Sequence, residues 1–299
     1  MHASQPRPAL ARSGVVLPNA LAPKKAATWH GRLELGFARQ DQCTQLVNRL
    51  VCMPLALQRP FYPEGPQVCH ILLLHPPGGL VGGDRLEVNL DLQPASEVLV
   101  TTPAAGKWYR SEREAQQLTR MQLAPGAHLE WLPQESIVFD GAFARQQLHV
   151  ELSPGATWLG WDITRFGRSA CGEQFRHGQW RAQTEVWRAG EPLWIDRQQL
   201  TGGSRLLDSA YGLASQPVIG TLVWIGQAVT PVLVDSAREL WVALAAPGET
   251  GTTRLPQGLL CRYRGQSSSA ARQWFTGVWD LLRREHRGRA AQAPRIWST

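Results

Sequence analysis

Short alternating runs dominate the chain from Trp29 onward. In residues 31–39 the apolar Leu33, Leu35 and Phe37 alternate with Arg32, Glu34 and Gly36, the two-residue period of a half-buried strand. Leu86, Val88, Leu90 and Leu92 repeat the pattern with Glu87, Asn89 and Asp91 between them. Residues 70–75 (HILLLH) are apolar on both faces, which predicts a strand covered on both sides. The helical period emerges only late. Ala271, Trp274, Phe275, Val278, Leu281 and Leu282 follow the i, i+3, i+4, i+7 spacing after a capping serine at 268 or 269, and Gly288 can end the helix. A second, shorter helix is expected over 235–245, with Ala237, Leu240, Trp241 and Leu244 on one face.

A repeat links the strands. Leu90-x-Leu92-Gln93-Pro94-Ala95, Met121-x-Leu123-Ala124-Pro125-Gly126 and Val150-x-Leu152-Ser153-Pro154-Gly155 are each followed by another apolar strand. Each unit reads strand, turn, strand, and recurrence near 30 residues predicts stacked layers. The expected fold is therefore mainly β, with stacked layers of short strands in the manner of a β-helix or solenoid and about two helices toward the C-terminus. A β-sandwich with regular turns is the competing reading. Residues 1–28, rich in Ala, Pro and Arg, read as a flexible N-terminal extension, and 29–299 as a single domain.

Charge changes this picture less than its total implies. The 299 residues carry a formal +7. Arg7, Arg12, Lys24 and Lys25 stand in the first 28 residues without an acid, and Arg283, Arg284, Arg287, Arg289 and Arg295 face only Glu285 in the last 17, so the body is close to neutral. A surface that tracks nucleic-acid phosphates needs basic residues on the fold itself, so nucleic-acid binding through the tails is a weak alternative. The longest uninterrupted apolar run, 240–246, is too short to span a membrane, and the first residues lack the apolar core of a secretory signal. A cytoplasmic protein is expected. Cys43, Cys52, Cys69, Cys171 and Cys261 show no C-x-x-C spacing and read as buried free thiols.

Catalytic signatures are sparse. Gly106-Lys107 is followed by Trp108 where a P-loop needs a hydroxyl, and no G-x-S-x-G elbow occurs. The segment His75-Pro-Pro-Gly78-Gly79-Leu-Val-Gly82-Gly83-Asp84 stands out, because four glycines in six positions permit close backbone approach. His70, His128, His149 and His177 are isolated and read as structural. Among the acids, Asp84, Asp140, Asp162 and Asp196 sit beside glycine or large apolar residues. Such a carboxylate lies on a wet face or is buried with a partner.

Several ordered strings carry a resemblance. Gln58-Arg-Pro-Phe-Tyr-Pro-Glu-Gly65, Cys69-His70, LLLHPPGGLVGGD (72–84), TTPAAGKWYRS (101–111), Leu129-Glu-Trp-Leu-Pro-Gln-Glu135, Phe166-Gly-Arg168, Gly172-Glu-x-Phe175 and Pro294-Arg-Ile-Trp297 resemble the urease accessory protein UreD (UreH) family over 29–299. The resemblance implies a non-enzymatic maturation chaperone with a layered β fold. It would bind the urease apoprotein and UreF, with UreG joined through UreF, and assist GTP-dependent nickel insertion with no tightly bound cofactor. A transient nickel passage is expected as the mechanism, with Asp84, Asp162, Glu173 and Asp196, which match acidic positions of the family, as the residues that line it. Expected partner contacts are Gly78, Gly79, Gly82 and Gly83, then Lys107, Trp108, Tyr109 and Arg110, and finally Arg295 and Trp297. A carboxylate-based β-solenoid hydrolase is the alternative.

Overall fold

The computed structural model describes residues 28–298; apart from Thr28, the expected N-terminal extension lies outside the described residues. The chain begins with β1 (His30–Gln40), β2 (Cys43–Cys52), the two-residue β3 (Ala56–Leu57) and β4 (Val68–Leu74). Next come β5 (Arg85–Leu92), β6 (Glu97–Thr101), β7 (Gly106–Trp108), β8 (Ala115–Leu123), β9 (His128–Leu132) and β10 (Ser136–Val138). Four long strands follow: β11 (Phe143–Leu152), β12 (Thr157–Phe166), β13 (Gln179–Arg188) and β14 (Glu191–Thr201). The chain closes with β15 (Val218–Ile225), α1 (Pro231–Leu244), β16 (Glu249–Leu255), β17 (Gly258–Gly265) and α2 (Ser268–Arg287).

Two sheets result. A seven-stranded sheet has the order β14-β13-β11-β8-β5-β1-β2. A ten-stranded sheet runs β16-β17-β15-β12-β9-β6-β4-β3, with β7 and β10 paired beside it. Through the repeat region the long strands alternate between the sheets. β5, β8, β11 and β13 pair in parallel in one, and β4, β6, β9 and β12 in the other. The residue after each repeat proline takes a left-handed conformation: Ala95 (φ 57°), Gly126 (φ 71°) and Gly155 (φ 74°). These turns stack, with Ala95 N donating to Pro125 O at 3.1 Å, while Ala124 N and Ser153 N donate to Leu92 O and Leu123 O one layer away. The mainly-β class with late helices is as the pattern predicts.

The alternation of β12 separates two cores. Trp158 packs into the one between the sheets, with Leu33, Leu35, Phe37, Leu90 and Leu92. Leu159, Trp161 and Ile163 point the other way, onto Trp274, Phe275 and Val278 of α2. Helix α1 starts four residues earlier than the apolar spacing predicts. Thr230 accepts from Leu233 N at 3.2 Å and Pro231 occupies the first turn, where its missing donor costs nothing. Helix α2 is capped by Ser267, just before the expected serines, and ends at Gly288 with φ 63°.

The C-terminal arginines are not a free basic tail. Arg283, 2% exposed, donates from Nε and Nη2 to the two oxygens of Glu130 at 2.8 and 2.6 Å, and also bonds Glu64. Arg287 and Arg289 pair with Glu97. Burial alone would raise these carboxyls, but Arg283 holds Glu130 below the usual glutamate range. His70 with Arg283 does the same for Glu64, and Arg287 with Arg289 for Glu97. Three arginines at and just beyond the helix end thus meet three acids, Glu97 and Glu130 on the sheet and Glu64 in the turn before β4. Removing one partner strands a buried charge, so Arg283→Met is expected to lower the unfolding free energy by about 3–5 kcal/mol in chemical denaturation. A loss under about 1 kcal/mol would show that the network is not a stability determinant.

Burial also holds His128 and His286 below the ordinary histidine value of 6.5, against the opposing pull of Glu130 and Glu285. These histidines and the three glutamates all bind protons more readily unfolded than folded. Stability should be full above pH 6.5, fall as the unfolded histidines protonate, and fall further below 4.5 as the unfolded glutamates do. Denaturation midpoints from neutral pH to about pH 4 check this; a flat profile contradicts it.

Candidate functional site: a polar cavity between the sheets

Strand register arranges the inner face of the seven-stranded sheet in rows. Leu90, Met121, Val150, Val186 and Trp194 form an apolar row. One step along the strands the row becomes Val88, Thr119, Leu148, Thr184 and Asp196, and the next is Leu86, Gln117, Gln146, Ala182 and Gln198. Across the gap, Asp162, Thr221 and Arg262 are paired neighbours on β12, β15 and β17. The two polar rows do not close on this wall. They leave a cavity of about 210 Å³ lined from Leu86 to Asp196, beneath five adjacent strands. At about 4.8 Å per strand the lining extends for roughly 19 Å. Exposed Ala104 and Gly106, with half-buried His75 and Gly78, line one part, and Trp194, Asp196 and Thr221 line another.

Asp162 and Asp196 both line this cavity. Asp162 is half-buried and lines the cavity. Its Oδ1 accepts from Thr164 Oγ1 at 2.7 Å. Burial raises its pKa, the Thr164 bond opposes this, and the charge of Asp196 raises it further. Asp196 Oδ2 accepts from Gln198 Nε2 at 2.6 Å and Arg262 Nη1 at 2.8 Å. Trp158 Nε1 is buried beside the cavity with no acceptor among the described residues, a donor that internal water can satisfy. The rest of the polar lining among the described residues is mostly hydroxyl and amide, with tryptophan indoles and the single imidazole of His75. Among the described residues, no three His, Cys, Asp or Glu side chains are grouped to hold a metal ion.

The other two expected acids lie off the cavity wall. Asp84 accepts from the backbone nitrogens of Trp29 and Val81, both at 2.9 Å, and so pins the end of the glycine-rich loop. Burial lowers the pKa of the nearby His75, with Asp84 opposing. Glu173 forks with Arg168, Nε to Oε2 at 2.9 Å and Nη2 to Oε1 at 3.0 Å.

The expected partner residues divide similarly. Trp108 is 1% exposed and sits in the inter-sheet core, so it is corrected from surface contact to packing residue. The glycine-rich loop lies against the 107–113 segment, Leu80 N donating to Lys107 O at 2.8 Å and Tyr109 N to Leu80 O at 2.9 Å. A Cβ at Gly79 would collide with Tyr109 and one at Gly82 with the Arg113 carbonyl, so these glycines serve internal packing. Gly83 is likewise crowded, by Thr28 and Arg113, whereas Gly78 is open on the cavity wall. Lys107 and Tyr109 are half-buried, and Arg110 and Arg295 are exposed. Trp297 donates to Thr101 Oγ1 at 2.9 Å and packs on Trp161 and Trp279. The cysteines also need correction. Cys69 and Cys261 are buried, with thiols pushed up to about 11 and 12 by burial, but Cys52 and Cys171 are exposed. His70 and His128 are buried and bonded to Glu64 and Thr157, whereas His149 and His177 lie nearer the surface.

Over residues 30–298 the sequence matches the family described as UreD urease accessory protein. A urease accessory protein UreD of Acaryochloris marina (strain MBIC 11017) is 56% identical over 272 residues, covering 91% of this chain and 96% of that protein. Its counterpart in Trichormus variabilis (strain ATCC 29413 / PCC 7937) is 54% identical with the same coverage. One from Azoarcus sp. (strain BH72) is 43% identical, covering 91% of this chain and 94% of its own. The chain belongs to the UreD family. It is therefore an accessory protein of urease maturation.

Within this UreD chain, Gln117, Thr119, Gln146, Thr184, Gln198 and Thr221 went unnoticed in the sequence, although they line the cavity, as did Arg262, which pairs with Asp196. Their signal is an inward face that turns from apolar to polar along one strand, as in β8, where Met121 and Leu123 share a face with Gln117 and Thr119. Asp162 is expected to titrate above the ordinary aspartate value of 3.8, and Asp196→Asn to move it back down. Carboxyl-carbon NMR titration of the full chain measures both. An Asp162 value unmoved by Asp196→Asn would show that the two acids do not share the cavity electrostatically.

Proposed function

We propose that this chain is a non-catalytic urease maturation chaperone that passes nickel to the urease apoprotein through the cavity between its sheets. The observation that carries the reading is the donor set. Two carboxylates, four threonine hydroxyls and several glutamine amides line one elongated internal space, without a cluster of imidazoles or thiols among the described residues. Histidine and cysteine clusters bind nickel tightly, whereas oxygen ligands and water hold it weakly enough to release. A passage needs sites strong enough to admit an ion and weak enough to let it leave. Internal water also spares the carboxylates the cost of dry burial.

In this reading the chain works in an assembly with the urease apoprotein and UreF, and UreG joins through UreF. The energy of GTP is used by UreG, consistent with the lysine at 107 being followed by tryptophan rather than a magnesium-binding hydroxyl. Asp162 and Asp196 are the ion-handling residues. Asp84 contributes through the loop and His75, and Glu173 from the outer surface beside Arg168. Exposed Arg110 and Arg295 remain the charged candidates for partner contact. No helix among the described residues is long and apolar enough to cross a membrane. The hydrolase alternative is less well served, since the cavity is smaller than the roughly 300–1,000 Å³ typical of ligand pockets.

Urease activation in a reconstituted system tests the proposal. Asp162→Asn and Asp196→Asn should each lower the nickel content and activity of the product urease at least about tenfold, the loss of one charged ligand interaction. Co-purification with UreF and apoprotein should be unchanged. Full nickel loading by both variants contradicts the passage.

A further inference from the structure

Two arginines of this protein bind carboxylates in opposite ways. Arg283 is sealed in the interior, forks onto Glu130 through two nitrogens and also bonds Glu64. Arg262 is different. One nitrogen, Nη1, makes both of its contacts, to Asp196 Oδ2 at 2.8 Å and Thr221 Oγ1 at 2.7 Å. Its side chain is 38% exposed, and its guanidinium stands 6.0 Å from the centre of the Trp194 ring. A forked, buried pair is strong and geometrically fixed, whereas a single-nitrogen pair open to water is weak and exchanges readily.

The position of Arg262 gives this weakness a use. It extends from β17 in the ten-stranded sheet to Asp196 on β14, the edge strand of the other sheet, and so bridges the gap between them. Among the described residues that line the cavity there is no lysine or arginine; Arg262, beside that lining, is the cation paired with Asp196. A guanidinium and a divalent ion cannot both sit against one carboxylate, because like charges a few ångströms apart repel strongly away from bulk water. The exposed arginine can move into solvent at little cost, while a divalent ion gains the second carboxylate, Asp162.

We propose that Arg262 is a displaceable counter-charge: it occupies Asp196 until a divalent cation takes its place, and by returning it expels that cation onward. This role rests on the passage reading above and adds to it a gate. With the arginine in place the cavity carries less net negative charge, so weakly bound monovalent ions have little to attract them. A divalent ion competes successfully because it is attracted by both acids. Return of the guanidinium then lowers the affinity of the filled site, the same logic by which neighbouring ions drive one another through a selective pore.

Equilibrium dialysis of the full chain against nickel chloride, with bound metal measured by atomic absorption, tests this. Arg262→Gln removes the competitor and should tighten nickel binding about tenfold, equivalent to removing about 1.4 kcal/mol of competition. Arg262→Lys keeps the charge and should stay within about threefold of the unaltered chain. The double variant R262Q/D196N should lose the gain. Nickel binding by Arg262→Gln that is unchanged or weaker, with an unchanged melting curve, overturns the gate; if Arg262→Gln does not fold, Arg262→Lys binding as tightly as expected for charge removal overturns it as well. Failure of the passage itself reads differently: D162N and D196N would then leave nickel loading of urease intact, whatever Arg262→Gln does.

Discussion

A carboxylate enclosed between two β-sheets must be solvated from within, and this constraint organises the interior. Dry apolar packing would leave Asp162 and Asp196 at a prohibitive cost. The sheets instead present threonines and glutamines beside the acids, so the wall they share is polar where the neighbouring row is apolar. The polar lining and the cavity are two aspects of one solution. Both follow from the strand register, which stacks positions of successive strands into rows and so sets Gln117 beside Gln146 and Thr184 beside Asp196.

Rigidity and exchange are assigned to different places. The end of α2 is fixed to the ten-stranded sheet by buried, balanced ion pairs, with Trp279 adding an indole donor to Glu130 at 2.8 Å. Breaking those pairs leaves charge stranded, so that junction behaves as a permanent joint. The Arg262–Asp196 pair is open to water and single-nitrogen, properties that make it poor cement and a good exchangeable partner. A delivery protein needs both: walls that do not move and an internal charge balance that does.

Much of the architecture was legible because it is written in periods. Leu33, Leu35 and Phe37 mark a strand, the prolines at 94, 125 and 154 mark the layers, and the spacing of Ala271, Trp274, Phe275 and Val278 marks the long helix. The start of α1 was misplaced because Thr230 and Pro231 act through a cap rather than through apolar spacing. The site was only half legible. Asp162 and Asp196 stood out as acids among large apolar neighbours, but Asp84, beside glycines, pins a turn, and Glu173, expected from the resemblance, pairs outside. Local sequence does not state which side of a sheet faces a gap. Trp108 was misread for a related reason, since aromatic residues favour interfaces and cores alike, and only the register of β7 against β10 buries it. Arg262 could not be found at all, because its partner lies 66 positions away in the other sheet.

The most direct test is to see the ion. Crystals of the full chain soaked in nickel chloride, with diffraction recorded at the nickel absorption edge, would locate bound metal without reference to activity. The account predicts anomalous density inside the inter-sheet cavity, within coordination distance of Asp162 and Asp196 and with Arg262 turned away. Nickel confined to exposed side chains such as His149 and His177, with none between the sheets, would contradict it.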